Sequence, residues 1–205
     1  MRRLVSAATE EFTRAGFRGA TTAAIAARAE VTEAQLFRYF DSKAELFRAA
    51  VFEPLNTGFA RFNARQLTGS PEAGDLHEPA GRYIAELEAF IREHAPRLLS
   101  LMVAEAYDAD SLKSVSDMDA LGEYFQRGAE VMSRRAGNDP QVDPALMVRV
   151  SFAAVLANVL FRDWLFPDGM ASEEEISAAL ADFVVDGISA NDAPGTDRQN
   201  QRSKT

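Results

Sequence analysis

Two helix-start signals lie within ten residues of each other in the segment VTEAQLFRYFDSKAEL, residues 31–46. Thr32-Glu33-Ala34-Gln35 and Ser42-Lys43-Ala44-Glu45 each fit a capping box. In that motif a Ser or Thr hydroxyl accepts the backbone N–H three residues on, and a Glu or Gln there reaches back to the cap. A helix from Glu33 to Phe40, about two turns long, is thus enclosed between two separate starts. So short a helix is marginal alone in water, because nucleation costs more than a few hydrogen bonds return. It must be braced from behind.

The preceding residues supply the brace. Leu4 and Val5, Ala8, Phe12 and Ala15 recur at helical spacing, and Gly16 stands where a left-handed C-terminal residue is wanted. Thr21 and Thr22 open a second helix with Ile25 and Ala29 on its inner side, and Val31-Thr32 turns tightly into the third. In that third helix Leu36 and Phe40 share the inner face. Glu33, Ala34, Gln35, Phe37, Arg38 and Tyr39 are left towards solvent.

Helical spacing continues beyond. A long fourth helix runs from Ser42 through Phe59 and Phe62 with Pro54 inside it; the ring removes one backbone bond and crowds the carbonyl of Ala50, which predicts a kink. Thr68 to Pro79 reads as a loop. One helix then carries Tyr83, Leu87, Phe90 and Ile91. Another starts at Pro96 with Leu98, Leu99 and Met102, and a third after Ser116 holds Met118, Leu121, Phe125 and Met132. Asn138-Asp139-Pro140 breaks the chain before a helix from Pro144 to Phe166, apolar nearly all round, that must be covered on several sides. Ser172 and Glu175 form one more capping box, ahead of Ile176, Leu180, Phe183, Val184 and Ile188. Residues 189–205 hold almost no apolar side chains and are expected to be disordered. No strand pattern or internal repeat competes, so the fold class is all-α.

Composition narrows the chemistry. There is no cysteine and there are two histidines in 205 residues, which excludes disulfides, thiolate catalysis and cysteine-ligated metals and argues against a histidine-rich metal centre. Glu105, Asp108 and Asp110 have no neighbouring His, phosphate loop or nucleophile motif, and read as a solvated helix end rather than an acid–base or metal site. No cofactor and no enzymatic activity are expected. The apolar run 150–166 is interrupted by Ser151, Asn158, Arg162 and Asp163 and is shorter than a bilayer span. No membrane association and a cytoplasmic location are the expectation. Net charge is −9, yet residues 1–50 carry +2, with eight basic and six acidic side chains, and the remainder −11. A mildly basic end on an acidic body would orient the molecule on a polyanion.

Three helices in the first 40 residues, the last two joined by a turn of about three residues, match helix-turn-helix geometry, in which the second of that pair enters the DNA major groove. An exposed Phe37-Arg38-Tyr39 suits a surface that meets phosphates and base edges. The segment TTAAIAARAEVTEAQLFRYFDSKAELF resembles the signature of the TetR-type (tetracycline-repressor-like) transcriptional regulators, T-x-x-x-I-A-x-x-A-G-V-S, then four residues to L-Y-x-x-F and x-S-K-x-x-L. The likeness covers about the first 50 residues. Glu30 stands where the pattern has Gly, so the turn must avoid a positive φ or tolerate one at a cost. Phe37 replaces Tyr and loses a hydroxyl.

The resemblance implies that Thr22 and Lys43 contact phosphates and that Thr32, Glu33, Gln35, Phe37, Arg38 and Tyr39 lie at the DNA interface. Gln35 faces two alternatives, capping its own helix or reading adenine. The expected organisation is a helix-turn-helix DNA-binding domain (1–48) joined by the long helix to an all-helical effector-binding and dimerisation domain (49–188), followed by the tail. The expected partners are operator DNA, a small apolar effector and a second copy of the chain. Phe59, Phe62, Phe90, Met102, Tyr107, Phe125, Phe161 and Trp164 are the effector-pocket candidates. Ala153, Ala154, Ala157, Leu180, Phe183 and Val184 are the dimer-interface candidates. A helical carrier or enzyme, with the N-terminal bundle serving only to pack, is the alternative; it leaves the Phe37-Arg38-Tyr39 face unexplained.

Overall fold

The structure, a computed structural model, describes residues 1–66, 77–113, 115, 118–136 and 142–189, and these are helices and their connections without strands. The expected tail beyond Ser189, the break at 138–140 and most of the loop at 68–79 lie outside the described residues, although Ser189 and 77–79 are helical rather than part of the tail and that loop.

Helix α1 (Arg2–Gly19) buries Leu4, Ala7, Ala8 and Phe12 along one side. At Gly16 the backbone swings to φ +67°, and the Gly16 carbonyl accepts from Ala20 N–H at 3.1 Å. Helix α2 (Thr22–Arg28) starts on Thr21, whose hydroxyl accepts from Ala24 N–H at 3.1 Å. Its exit is a Schellman arrangement: Val31 N–H donates to Ala26 O (3.0 Å) and Glu30 N–H to Ala27 O (3.1 Å). Glu30 sits there at φ +56°, so this turn tolerates the left-handed conformation without glycine. Left-handed backbone costs a side-chain-bearing residue about 1–2 kcal/mol, and the exposed Glu30–Arg3 ion pair returns little. After the entropy cost of glycine, Glu30→Gly should stabilise the protein by about 0.5–1 kcal/mol, seen in thermal unfolding as a rise of about 2 °C. An unchanged or lower midpoint would mean that the Arg3 pair or a neighbouring contact outweighs the strain.

Helix α3 (Glu33–Leu36) is a single α-turn extended by tighter bonds from Arg38 N–H to Gln35 O and from Tyr39 N–H to Leu36 O. It is shorter than the two turns expected. Leu36 and Phe40 are buried, and α3 packs on α2. Beneath them Phe12, Phe17, Phe47 and Phe52 form a chain of ring contacts at centroid distances of 4.9–6.1 Å. Glu11 is also buried here, held by Arg14 at 2.6 Å and Arg28 at 3.2 Å. The hydrogen-bonded Arg14 guanidinium keeps the Glu11 carboxyl below the usual carboxylate range, against the opposing effect of burial and with help from Arg28. A carboxyl lowered on folding contributes stability above its unfolded pKa of about 4.3, and that stability is lost as pH falls towards the folded value. Glu11→Gln should cost about 1–2 kcal/mol at neutral pH and flatten the loss between pH 5 and 3 in urea unfolding; an equally steep loss would place the acid sensitivity elsewhere.

The long fourth helix is divided. Helix α4 (Lys43–Phe47) passes through a π-helical segment, Arg48–Phe52, into α5 (Glu53–Gln66). The irregularity arises just upstream of Pro54, which has no N–H for the Ala50 carbonyl. That carbonyl is met instead by Arg97 Nε at 3.3 Å and by the Thr9 hydroxyl at 3.2 Å. The proposed boundary at 48/49 thus falls inside a segment whose Ala50, Val51 and Phe52 are buried.

Helix α6 (His77–Leu112) is one 36-residue element, about 54 Å long, where two helices were expected. Leu87, Ile91, Leu98 and Ala104 continue one buried stripe past Pro96, whose side faces solvent, and the backbone departs from helical angles only at Asp108. α1 packs along α6. Helix α7 (Asp119–Ala136) is tied to α5 at its start: Asn56 accepts from Ala120 N–H at 2.8 Å and Asn63 donates to Ala120 O at 2.9 Å. Helix α8 (Pro144–Leu160) is capped by Asp143 and ends at Phe161, where φ −117° and ψ 25° break the run expected to reach Phe166; a short α9 (Arg162–Leu165) follows. Helix α10 (Glu173–Ser189) begins with the predicted capping box, Ser172 with Glu175, and packs on α6, α7 and α8.

Candidate nucleic-acid interface

One face of the N-terminal unit carries α3 and the start of α2. Phe37 and Tyr39 are 46 % and 57 % exposed although Leu36 and Phe40 on either side of them are buried, so α3 presents two aromatic rings and Arg38 outward from a fixed base. Thr32, Glu33 and Gln35 are exposed beside them. The Thr22 hydroxyl donates to the Glu33 carboxylate, which links the first residue of α2 to the first of α3. Gln35 closes the capping box: Thr32 N–H donates to Gln35 Oε1 at 2.8 Å, and Gln35 N–H to the Thr32 hydroxyl at 3.2 Å.

The second capping signal is realised differently. Ser42 accepts from Glu45 N–H at 3.1 Å, but the Glu45 carboxylate accepts from Asp41 N–H, one residue before the cap, and also pairs with Arg48. Lys43 is partly buried. Its ammonium donates to Ala20 O at 3.1 Å and lies 4.6 Å from the centroid of the Phe17 ring. Burial pushes this ammonium below the usual lysine range, and Asp108 on α6 acts in the opposite direction. Lys43 therefore ties α4 to the end of α1 and the α1–α2 turn, as well as being a candidate phosphate contact.

Charge in this unit is largely internal. Arg3, Arg14, Arg28 and Arg48 are each paired with a carboxylate. Among the described residues Arg2, Arg18 and Arg38 have no acidic partner. Arg2 and Arg38 line one cleft of about 440 Å³ together with Arg3, Gln35 and Tyr39. The start of α1 had not been singled out in the sequence for this role; the adjacent Arg2-Arg3 pair is the signal that could have marked it.

The eight effector-pocket candidates do not converge. Phe59, Phe62 and Phe90 are buried and interlocked with Tyr124, while Phe125 is partly buried against Tyr124 and Phe152. Met102, Tyr107, Phe161 and Trp164 are exposed, Trp164 at 81 %, and Phe161 and Trp164 contact each other. Helical phase explains the separation for Tyr107, which is exposed on α6 while Phe90 is buried, whereas α9, which carries Trp164, buries none of its residues. The cluster contains a polar pair the sequence did not reveal: the Tyr83 and Tyr124 hydroxyls bond to each other, and burial raises both phenols, Tyr124 to about 12. A separate groove of about 690 Å³ between α7 and α8 is lined by Phe125, Glu130, Arg134 and Arg149.

The dimer candidates divide too. Leu180 and Val184 are buried within the protomer, whereas Ala153 and Phe183 are exposed and Ala154 and Ala157 half-buried. Leu146, Val150, Ala153 and Ala157 follow one another at spacings of three and four along α8 and make an outward, largely apolar stripe, and the exposed Phe161 and Trp164 lie beyond its end. Among the described residues no group of acidic side chains and histidines is arranged to hold a metal, and no helix is long and apolar enough to cross a membrane.

The model of "Bacterial regulatory proteins, tetR family" matches residues 4–50. No curated protein matches the chain in sequence. Solved structures resemble it over nearly its whole length. The TetR family transcriptional regulator PfmR from Thermus thermophilus aligns with a TM-score of 0.64 at 19 % identity, over 89 % of this chain and 96 % of that one. The transcriptional regulator FadR from Bacillus subtilis, in complex with stearoyl-CoA, aligns at 0.62 and 15 % identity, over 91 % and 98 %. AibR, in complex with isovaleryl coenzyme A and operator DNA, aligns at 0.61 and 17 %, over 89 % and 96 %. Residues 4–50 match the N-terminal domain of the tetR family, and the chain as a whole shares the all-helical fold of these solved regulators.

Proposed function

We propose that this protein is a ligand-responsive transcriptional regulator, a repressor that binds a palindromic operator as a homodimer and is released by a small effector with an apolar part. The observation that carries the reading is the face of α3. A single helical turn anchored by buried Leu36 and Phe40 exposes Phe37, Arg38 and Tyr39 beside the cleft of Arg2 and Arg3, and such a surface has no packing role. It suits a major groove, with the arginines on phosphates and base edges. The aromatic cluster of α5–α8 is the site we assign to the effector, with the Tyr83–Tyr124 hydroxyls as its polar contact. The acyl-CoA molecules in FadR and AibR make stearoyl-CoA and isovaleryl-CoA the first compounds to try.

Selection of bound sequences from a random double-stranded pool tests the reading. The expected product is a palindrome whose half-sites are one helical turn, about 34–36 Å, apart, and whose affinity falls steeply with salt. Arg38→Ala should weaken that binding by about 1–3 kcal/mol. Recovery of no sequence, with the protein folded and concentrated, would favour a helical carrier.

A further inference from the structure

The side-chain amide of Gln35 has only its donor side left for DNA. Its Oε1 accepts from Thr32 N–H at 2.8 Å and lies 3.3 Å from the Thr32 hydroxyl, which itself accepts from Gln35 N–H at 3.2 Å. The orientation is fixed by chemistry, because a backbone N–H can only donate and must face the oxygen rather than the nitrogen. An amide oxygen has two lone pairs, and the Thr32 N–H and O–H take both. Nε2, with two hydrogens, has no partner among the described residues, and the side chain is exposed at the N-terminal turn of α3, the part of a recognition helix that meets base edges.

Glutamine reads adenine with both ends of its amide, accepting from N6 and donating to N7. In this protein the first of those bonds would require breaking the cap. Guanine presents O6 and N7, two acceptors side by side, to the same edge, and a lone donor satisfies them without any change in α3. On the DNA-binding reading above, we infer that Gln35 selects a guanine, and discriminates against adenine, at one base pair of each half-site.

The experiment compares the protein with Gln35→Glu. Glutamate at this position keeps the capping box, since a carboxylate accepts from Thr32 N–H as the amide oxygen does, but it has nothing to donate. Thermal unfolding should therefore be unchanged. Each guanine of the selected operator is replaced in turn by 7-deazaguanine, which lacks the N7 acceptor, and by adenine. One guanine per half-site should show a loss of about tenfold with the parent for either replacement, and that penalty should disappear with Gln35→Glu. If no guanine loses its penalty in the variant, or if the only base pair whose preference changes is an A·T pair, the inference is overturned while DNA binding stands. If the parent selects no sequence at all, the DNA-binding reading falls and this inference with it.

Discussion

Phe183→Glu and, separately, Ala153→Glu are expected to convert the protein from dimer to monomer and to abolish operator binding at concentrations where the parent is saturated. Both positions are outward on α10 and α8 and take no part in the protomer's buried core. The fold should survive either change, which distinguishes them from Leu180, Val184 and the half-buried Ala154. A dimer about a two-fold axis uses the same surface on both subunits, so each substitution acts twice. Removing a buried Phe forfeits about 2–3 kcal/mol; two of them amount to about 4–6 kcal/mol, a dimer weaker by about 10³–10⁴-fold, before the cost of placing a carboxylate in an apolar contact. A monomer then reaches one half-site only and loses the effective concentration that links the two. Light scattering and operator titration read the two effects separately. A Phe183→Glu protein that remains dimeric would move the interface off α10, and an Ala153→Glu protein that remains dimeric would move it off the outward stripe of α8.

How far such surfaces were legible in the sequence depends on what the residues had to settle. The helix starts at Thr32, Ser42 and Ser172 were legible because each is decided by four consecutive residues, and Gly16 because its conformation is decided by one. The partition of the apolar residues was not. Leu180 and Phe183 look alike in the sequence, and a phase difference along α10 that only tertiary packing reveals puts one inside and the other outside. The same holds for Phe90 and Tyr107 on α6. Pro96 misled for a related reason: proline at a helix start and proline on the solvent face of a continuing helix have the same local signature, and the stripe from Leu87 to Ala104 decides between them. The net charge of the first 50 residues was legible but not which cations are free, since Arg28 of α2 meets Glu10 and Glu11 of α1 only after the two helices have packed.

Arg97→Met and Pro54→Ala should both uncouple effector binding from DNA release, and the reason lies at the carbonyl of Ala50. Pro54 denies this carbonyl its helical partner, and donors from two other helices replace it: Arg97 Nε from α6 and the Thr9 hydroxyl from α1. The Thr9 hydroxyl also lies 2.9 Å from Val5 O, so its one hydrogen serves either carbonyl, and the link can be made or released without breaking a helix. α6 also carries Phe90 of the aromatic cluster, and α1 packs on α2, which in turn packs on α3, the turn that leads into Arg38. A shift of α6 when an effector enters the cluster would thus pull on the π-helical segment and on α1 together. A 1,000-fold loss of operator affinity requires about 4 kcal/mol of coupling, which the effector must supply as a difference in its affinity for the two arrangements. Arg97→Met keeps the apolar stem and removes the donor. Pro54→Ala supplies an N–H that can close on Ala50 O and compete with both side chains. In each variant, effector affinity measured without DNA should stay within about twofold of the parent while the release of operator shrinks from about 1,000-fold to tenfold or less, a loss of at least about 2.7 kcal/mol of coupling. A double-mutant cycle of Thr9→Val with Arg97→Met, read on the same release, should be strongly non-additive, because both side chains act through one oxygen. Full release in Arg97→Met and Pro54→Ala alike would show that the signal leaves the body by another contact, for which the packing of α1 along α6 is the next to test.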